Sequence, residues 1–200
     1  MQVRSGSQAK ESDDVRQRIV EAAEELFANK GFAASSISDI SAAADVNRAL
    51  IYYYFKDKQD LYNSILREGE QNMLRIAMDA YSSERTAVAR LQKFITNFSR
   101  VRIERENFGR IVLRGLVDSS MEVTSHLEES FNKVSAILKL IIEEGVESKE
   151  LRNVDPDMMV HTIHGMVHSL YMFQCKNKVY FDFEKSVEHT LGVLAKGIVN

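Results

Sequence analysis

The sequence predicts an all-α protein, and three observations carry that expectation. One Pro and nine Gly among 200 residues leave few obligatory breaks in the backbone. Apolar side chains recur at three- and four-residue steps along most of the chain, the period of a helix with one buried face. No segment alternates apolar and polar residues as a half-buried strand would. The 44% hydrophobic and 28% charged fractions are those of an ordinary globular protein, and the length allows one or two domains. There is no internal repeat and no low-complexity tract.

Residues 1–12 are polar and contain Ser and Gly, which predicts a flexible arm. From Asp13 the pattern turns helical: Val15, Ile19, Ala22, Ala23, Leu26 and Phe27 share a face, and Gly31 stands where a left-handed residue would end the helix. Ser36-Ile37-Ser38-Asp39 has the form of a capping box and opens a short helix through Ile40 and Ala42-Ala43-Ala44. After Asp45-Val46, Asn47 is suited to cap a second short helix containing Arg48 to Phe55. Asp57-Lys58-Gln59-Asp60 opens a third, long one with Leu61, Ile65, Leu66, Met73 and Ile76 as its stripe. Two helices of two or three turns are marginal alone and must be held by neighbours. Joined by about three residues, with small Ala side chains permitting close approach, they form a helix-turn-helix.

Helices continue beyond. Ser83 can cap a segment reaching about Glu106, followed by segments from Phe108 to Val117 and from Leu127 to Gly145. Asp155-Pro156 is the strongest start signal, a cap followed by Pro at the first helical position, and launches a helix to about Gln174. Asp182 caps a last one bearing Val187, Leu191, Leu194 and Ile198. The expected domains are a helix-turn-helix unit over residues 13–62 and a helical bundle over 63–200.

The single Cys175 excludes an internal disulfide framework and a CxxC zinc site, and fits a reducing compartment. The polar N-terminal stretch and the absence of any run near about 20 apolar residues predict a cytoplasmic protein with no membrane partner. Net charge is −3 overall and −2 over residues 1–60, where eight basic face ten acidic side chains. Any attraction to a polyanion must come from how charges are placed, since their sum is slightly adverse.

Ile19-Val20-Glu21-Ala22-Ala23, Leu26-Phe27, Gly31-Phe32, Ser36-Ile37, Ile40, Val46, Ile51-Tyr52-Tyr53-Tyr54-Phe55-Lys56-Asp57-Lys58 and Leu61 follow one another in a pattern that resembles the N-terminal domain of tetracycline-repressor (TetR) family regulators. The resemblance runs from near Arg18 to Leu61; beyond it only helical character and length agree. It implies an N-terminal three-helix DNA-binding domain and a C-terminal helical ligand-binding and dimerisation bundle. Carried over by position, it places Arg48, Ala49 and Tyr53 at bases or sugars, and Ser36, Ser38, Tyr52, Tyr54 and Lys58 on the DNA backbone. Three positions depart from the family pattern: Asp45 stands where Gly is usual, Leu50 where a small or polar residue is common, and Tyr54 where His is frequent.

The chemistry of these residues agrees. A recognition helix presents its N-terminal side chains to base edges in a major groove about 12 Å wide. Arg48 follows the Asn47 cap and suits guanine O6/N7, while Ala49 is small enough to meet a thymine methyl. Three consecutive tyrosines point about 100° apart, so at least one hydroxyl must face outward to reach phosphates. Lys58, in the first turn of the next helix, offers an ammonium beside exposed N–H groups, a seat for phosphate. Ile51 and Phe55 read as core.

The resemblance also implies a small-molecule effector enclosed between about Gln71 and Gln174, and pairing of the last two long helices in a homodimer. Candidate pocket residues are Met73, Phe94, Phe98, Phe108, Met121, Met166 and Met172, each of which, taken alone, reads more readily as ordinary core. Arg110 and Arg114, one turn apart, could meet an acidic ligand or form a solvated face. His161, His164 and His168 share a stripe without a nearby Cys or acidic partner, which favours packing over metal binding; no metal and no cofactor are expected. Motifs for hydrolase, dinucleotide, zinc-protease, nucleotide-phosphate and calcium chemistry are all missing, so an enzyme is not expected. The competing reading is a helical adaptor that binds another protein through the segment Val160 to Phe173. The sequence thus predicts a ligand-responsive DNA-binding regulator, a repressor acting as a dimer on a near-palindromic site.

Overall fold

The computed structural model describes residues 5–117, 121–177 and 183–199. Its regular elements are helices: α1 (Ser5–Lys30), α2 (Ile37–Ala43), α3 (Arg48–Tyr54), α4 (Lys58–Ser83), α5 (Ala87–Glu104), α6 (Glu106–Val117), α7 (Met121–Glu147), α8 (Pro156–Asn177) and α9 (Phe183–Ile198). Among the described residues, extended pairing is limited to one antiparallel bridge between Leu151 and Val199. No described helix is long and apolar enough to cross a membrane.

Two compact units emerge, and their division differs from the expected boundary after residue 62. The first comprises residues 1–69 with 106–126, the second 70–105 with 127–200. Thus α4 passes from one unit to the other at Gly69, and α6 belongs to the first, packed on α1. The cause is a notch. The Phe108 ring of α6 lies over Gly69, where a Cβ would come within 2.0 Å of ring carbon Cζ. Helical periodicity shows that α6 has an apolar face but not which helix receives it.

Within the first unit, Ile19, Val20, Ala23 and Phe27 of α1, Ile40 of α2, Ile51 and Phe55, and Leu61 and Ile65 of α4 are buried. Each of these side chains larger than Ala contributes about 1.5–3 kcal/mol by leaving water, which holds the seven-residue α2 and α3 that would melt alone. Phe27, Phe32 and Tyr62 form a ring cluster with centroids 4.9–5.7 Å apart. The helix α1 starts at Ser5, not Asp13, so most of the stretch expected to be an arm is helical. Its polar composition contains no helix breaker beyond Gly6, and Ser12 is bonded to Tyr54.

The second unit has its own core, including Ile76, Leu91, Phe94, Ile95, Phe98, Leu138, Ile141, Ile142, Ile163 and Leu194. Thr86 caps α5, accepting from the Ala89 amide at 3.2 Å. Ser83, expected in that role, instead ends α4 and donates to the Asp79 carbonyl at 2.6 Å. Tyr81 donates to Glu144 at 2.7 Å, and Arg90 donates to the other carboxylate oxygen while stacking on the Tyr81 ring. These bonds, the tyrosine's first, hold the Glu144 carboxyl below its ordinary range, while the bond to Glu144 pushes the Tyr81 phenol up. Asp155 caps α8 through the Met158 amide at 2.9 Å. The reversal after α7 uses Lys149 at φ 63°, which no turn residue in the sequence announces. Asp182 lies outside the described residues.

Candidate nucleic-acid interface

Short-range bonds shape α2 and α3. Ser36 is extended, accepts from the Asp39 amide at 3.1 Å, and its own amide donates to the Asp39 carboxylate at 3.0 Å. The Ser36 hydroxyl also donates to that carboxylate at 2.8 Å. This hydroxyl, then the Ser36 amide, lower the Asp39 pKa by favouring its charged form. The turn between the helices passes through Asp45 at φ 52°, a left-handed value Asp tolerates better than most residues. Ser41 closes the corner by donating to the Val46 carbonyl at 2.7 Å. Asn47 then caps α3 through the Leu50 amide at 2.8 Å.

The result is a rod about 10 Å long with two faces. Ile51 and the following Phe55 are buried; Arg48, Ala49, Tyr52 and Tyr53 are exposed over about 140° of the opposite side. Tyr52 is 54% and Tyr53 78% accessible, and the Tyr53 ring meets the Tyr54 ring edge-on at a centroid distance of 5.0 Å. Arg48 reaches across to the exposed Ser38 of α2, Nη1 lying 3.4 Å from Oγ. Ser36, Ser38, Arg48, Ala49, Tyr52 and Tyr53 are therefore all open to solvent on neighbouring short helices.

Two residues expected on the DNA backbone, Tyr54 and Lys58, make polar contacts within the chain. The Tyr54 ring is half-buried, and its hydroxyl donates to the Ser12 carbonyl at 3.1 Å and pairs with the Ser12 hydroxyl at 2.8 Å. At this helical position the ring points back onto α1. Lys58 is half-buried too: its ammonium donates to the carbonyls of Phe32 and Ser35, both at 2.8 Å, and lies 4.2 Å from the Phe32 ring centroid. Residues that sequence reasoning passed over are Ser12 and Arg16, whose guanidinium stacks 5.4 Å from the Phe55 ring. Both lie far from the motif along the chain, and no local spacing marks them.

Residues 19–65 match the family description "Bacterial regulatory proteins, tetR family", and residues 84–172 match "Tetracyclin repressor-like, C-terminal domain". The chain belongs to the tetR family. Among relatives of this tetR-family chain, the fatty acid metabolism regulator protein of Bacillus subtilis (strain 168) is 25% identical over 184 residues, covering 92% of this chain and 95% of its own. The HTH-type transcriptional repressor NicS of Pseudomonas putida is 26% identical, covering 89% and 84%. FadR of B. subtilis, solved in complex with stearoyl-CoA, has the same fold at TM-score 0.78 and 24% identity, covering 90% of this chain and 98% of that one. This tetR-family protein is accordingly a DNA-binding transcriptional regulator, as its relatives are.

Of the residues expected to line an effector pocket in this regulator, Met73, Phe94, Phe98, Phe108 and Met166 have described side chains. Phe94 and Phe98 are buried side by side in the second unit's core, ring centroids 5.2 Å apart, with Met73 and Met166 against it. Phe108 lies in the first unit over Gly69. The side chains of Met121 and Met172 lie outside the described residues. Arg114 is exposed and donates to the Asn29 carbonyl at 2.9 Å, while Arg110 is half-buried. Of the three histidines, His161 stacks on Phe131, His164 packs against Phe98 and Phe131 within 3.3 Å of the Ser135 hydroxyl, and His168 is exposed. Among the described residues no three potential metal ligands gather.

Proposed function

We propose that this tetR-family regulator is a repressor that binds a near-palindromic duplex as a homodimer and leaves it when an amphipathic acyl chain, of the long-chain acyl-CoA class, occupies the second unit. The exposed face of α3 carries the reading: Arg48, Ala49 and Tyr53 meet bases or sugars, with Ser36, Ser38 and Tyr52 on phosphates. Tyr54 and Lys58 are left out of this contact set because their polar atoms already have partners inside the chain. The effector class rests on the fatty acid metabolism regulator protein of B. subtilis and on its FadR holding stearoyl-CoA, together with an apolar core rich in Phe, Ile and Met.

The second copy is assigned to the outer faces of α8 and α9. Met158 and Val193 are exposed there, and a Cβ added at Gly165 or Gly192 would meet nothing within 4 Å, so another helix can approach closely. A symmetric pair presents two α3 rods, and half-sites must then lie about one helical turn, or a multiple, apart. The discriminating experiment compares specific and random duplexes. Arg48→Ala should weaken the specific complex by about 1–3 kcal/mol and the random one far less. Equal losses would remove Arg48 from base reading. Stearoyl-CoA, but not free coenzyme A, should release the specific duplex; no release by any acyl chain length would remove the effector class.

A further inference from the structure

Four carbonyl oxygens of the connection from α1 to α2 accept side-chain hydrogen bonds. The Asn29 carbonyl accepts from Arg114 Nη2 at 2.9 Å, and the Gly31 carbonyl accepts from the Ser35 hydroxyl at 2.8 Å. The Phe32 and Ser35 carbonyls both accept from Lys58 Nζ at 2.8 Å. Gly31 has φ 86°, and a Cβ there would stand 3.3 Å from Arg114 Nη1, so the guanidinium lies directly across the end of α1. Cations at the carbonyl end of a helix are favoured by its dipole. The two come from different elements, α4 and α6, and grip opposite ends of one seven-residue stretch, 29–35. That stretch ends on Ser36, the cap of α2, and α2 carries the Ser38 that meets Arg48.

We propose that Lys58 and Arg114 are positioning residues for DNA binding: they fix α2, and through it α3, by clamping the 29–35 carbonyls, and neither neutralises a phosphate. The assignment rests on the DNA-binding reading above and extends it to residues outside the contact face. An ammonium with two of its three N–H donors on carbonyls and its flank on an aromatic ring is poorly placed to follow a phosphate. A clamp and a phosphate partner differ in one measurable respect. Loss of a phosphate contact lowers the slope of log affinity against log salt by about 0.9, whereas loss of a clamp lowers affinity at every salt concentration and leaves the slope alone.

The test uses the full chain and a duplex that the wild-type chain enriches from a random-sequence library. Lys58→Met keeps a stem over Phe32 and deletes the ammonium; Arg114→Gln shortens the reach to Asn29. Each should weaken binding to the enriched duplex, Lys58→Met by about tenfold and Arg114→Gln by about threefold, with an unchanged salt slope. Lys58→Arg, which retains donors, should recover most of the loss. Far-UV circular dichroism and thermal melts confirm that the compared proteins are folded at the assay temperature. A salt slope lowered by about one on Lys58→Met would make it a phosphate partner and overturn the proposal. Wild-type affinity in the folded variants would overturn it equally, since the clamp would then matter to stability alone. If the wild-type chain enriches no duplex, the proposal falls together with the DNA-binding reading, a failure distinct from both.

Discussion

Gly69→Ala isolates the fit between α4 and α6. A Cβ at this position would lie 2.0, 2.3 and 2.7 Å from Cζ, Cε2 and Cε1 of Phe108. Carbon atoms settle about 3.5–4.0 Å apart, so the ring has to retreat by about 1.5 Å. Overpacking of this kind costs about 1–3 kcal/mol, and the half-buried Phe108 can swing outward, which sets the cost near about 2 kcal/mol. Ala opposes this with a helix propensity about 1 kcal/mol better than Gly. The net expectation is a loss of about 1 kcal/mol with Phe108 present. In a Phe108→Ala background the clash is gone and the same substitution should gain about 1 kcal/mol, a coupling of about 2 kcal/mol. Urea unfolding of the four proteins by circular dichroism, compared at midpoints with equal m values, measures this cycle. Stabilisation by Gly69→Ala in the presence of Phe108, or simple additivity, would refute the notch as the reason α6 joins the first unit.

Asn47→Ala removes the bond to the Leu50 amide and should cost about 1 kcal/mol of stability in urea melts, whereas Asn47→Asp should cost little; equal losses would deny the cap its role. Tyr54→Phe cuts the link to Ser12 and should cost about 1 kcal/mol, visible as faster amide exchange near Ser12 with the DNA salt slope unchanged; a lowered slope would return the hydroxyl to the phosphates. Asp39 makes the head sensitive to acid. Its carboxyl titrates below the unfolded value of about 3.9, so its contribution is complete above that pH and is lost as pH falls through the lower folded value. Thermal melts from about pH 6 to about pH 2 should therefore show a steeper acid loss for the wild type than for Asp39→Asn, and parallel curves would contradict the assignment.

What the amino-acid sequence settles alone is whatever a few neighbouring residues can arrange among themselves. The Ser36–Asp39 box, the Asn47 and Asp155 caps, the left-handed Gly31 and Asp45, and the buried sides of α3 all follow from bonds spanning at most four residues, or from a period of 3.6. The family likeness was legible for the same reason, since it resides in that local pattern. Tertiary packing decided the rest. Lys58 has an ammonium that could serve a phosphate or a carbonyl, and only the arrival of Phe32 and Ser35, 26 and 23 residues away, determines which. Tyr54 could face outward or back, and Ser12, 42 residues earlier, draws it back. Phe108 reads as core in any helix, but which core depends on a missing side chain at Gly69. Polar groups and rings take whatever partner the chain brings within a few ångströms, and sequence spacing stops reporting that distance once the chain has turned.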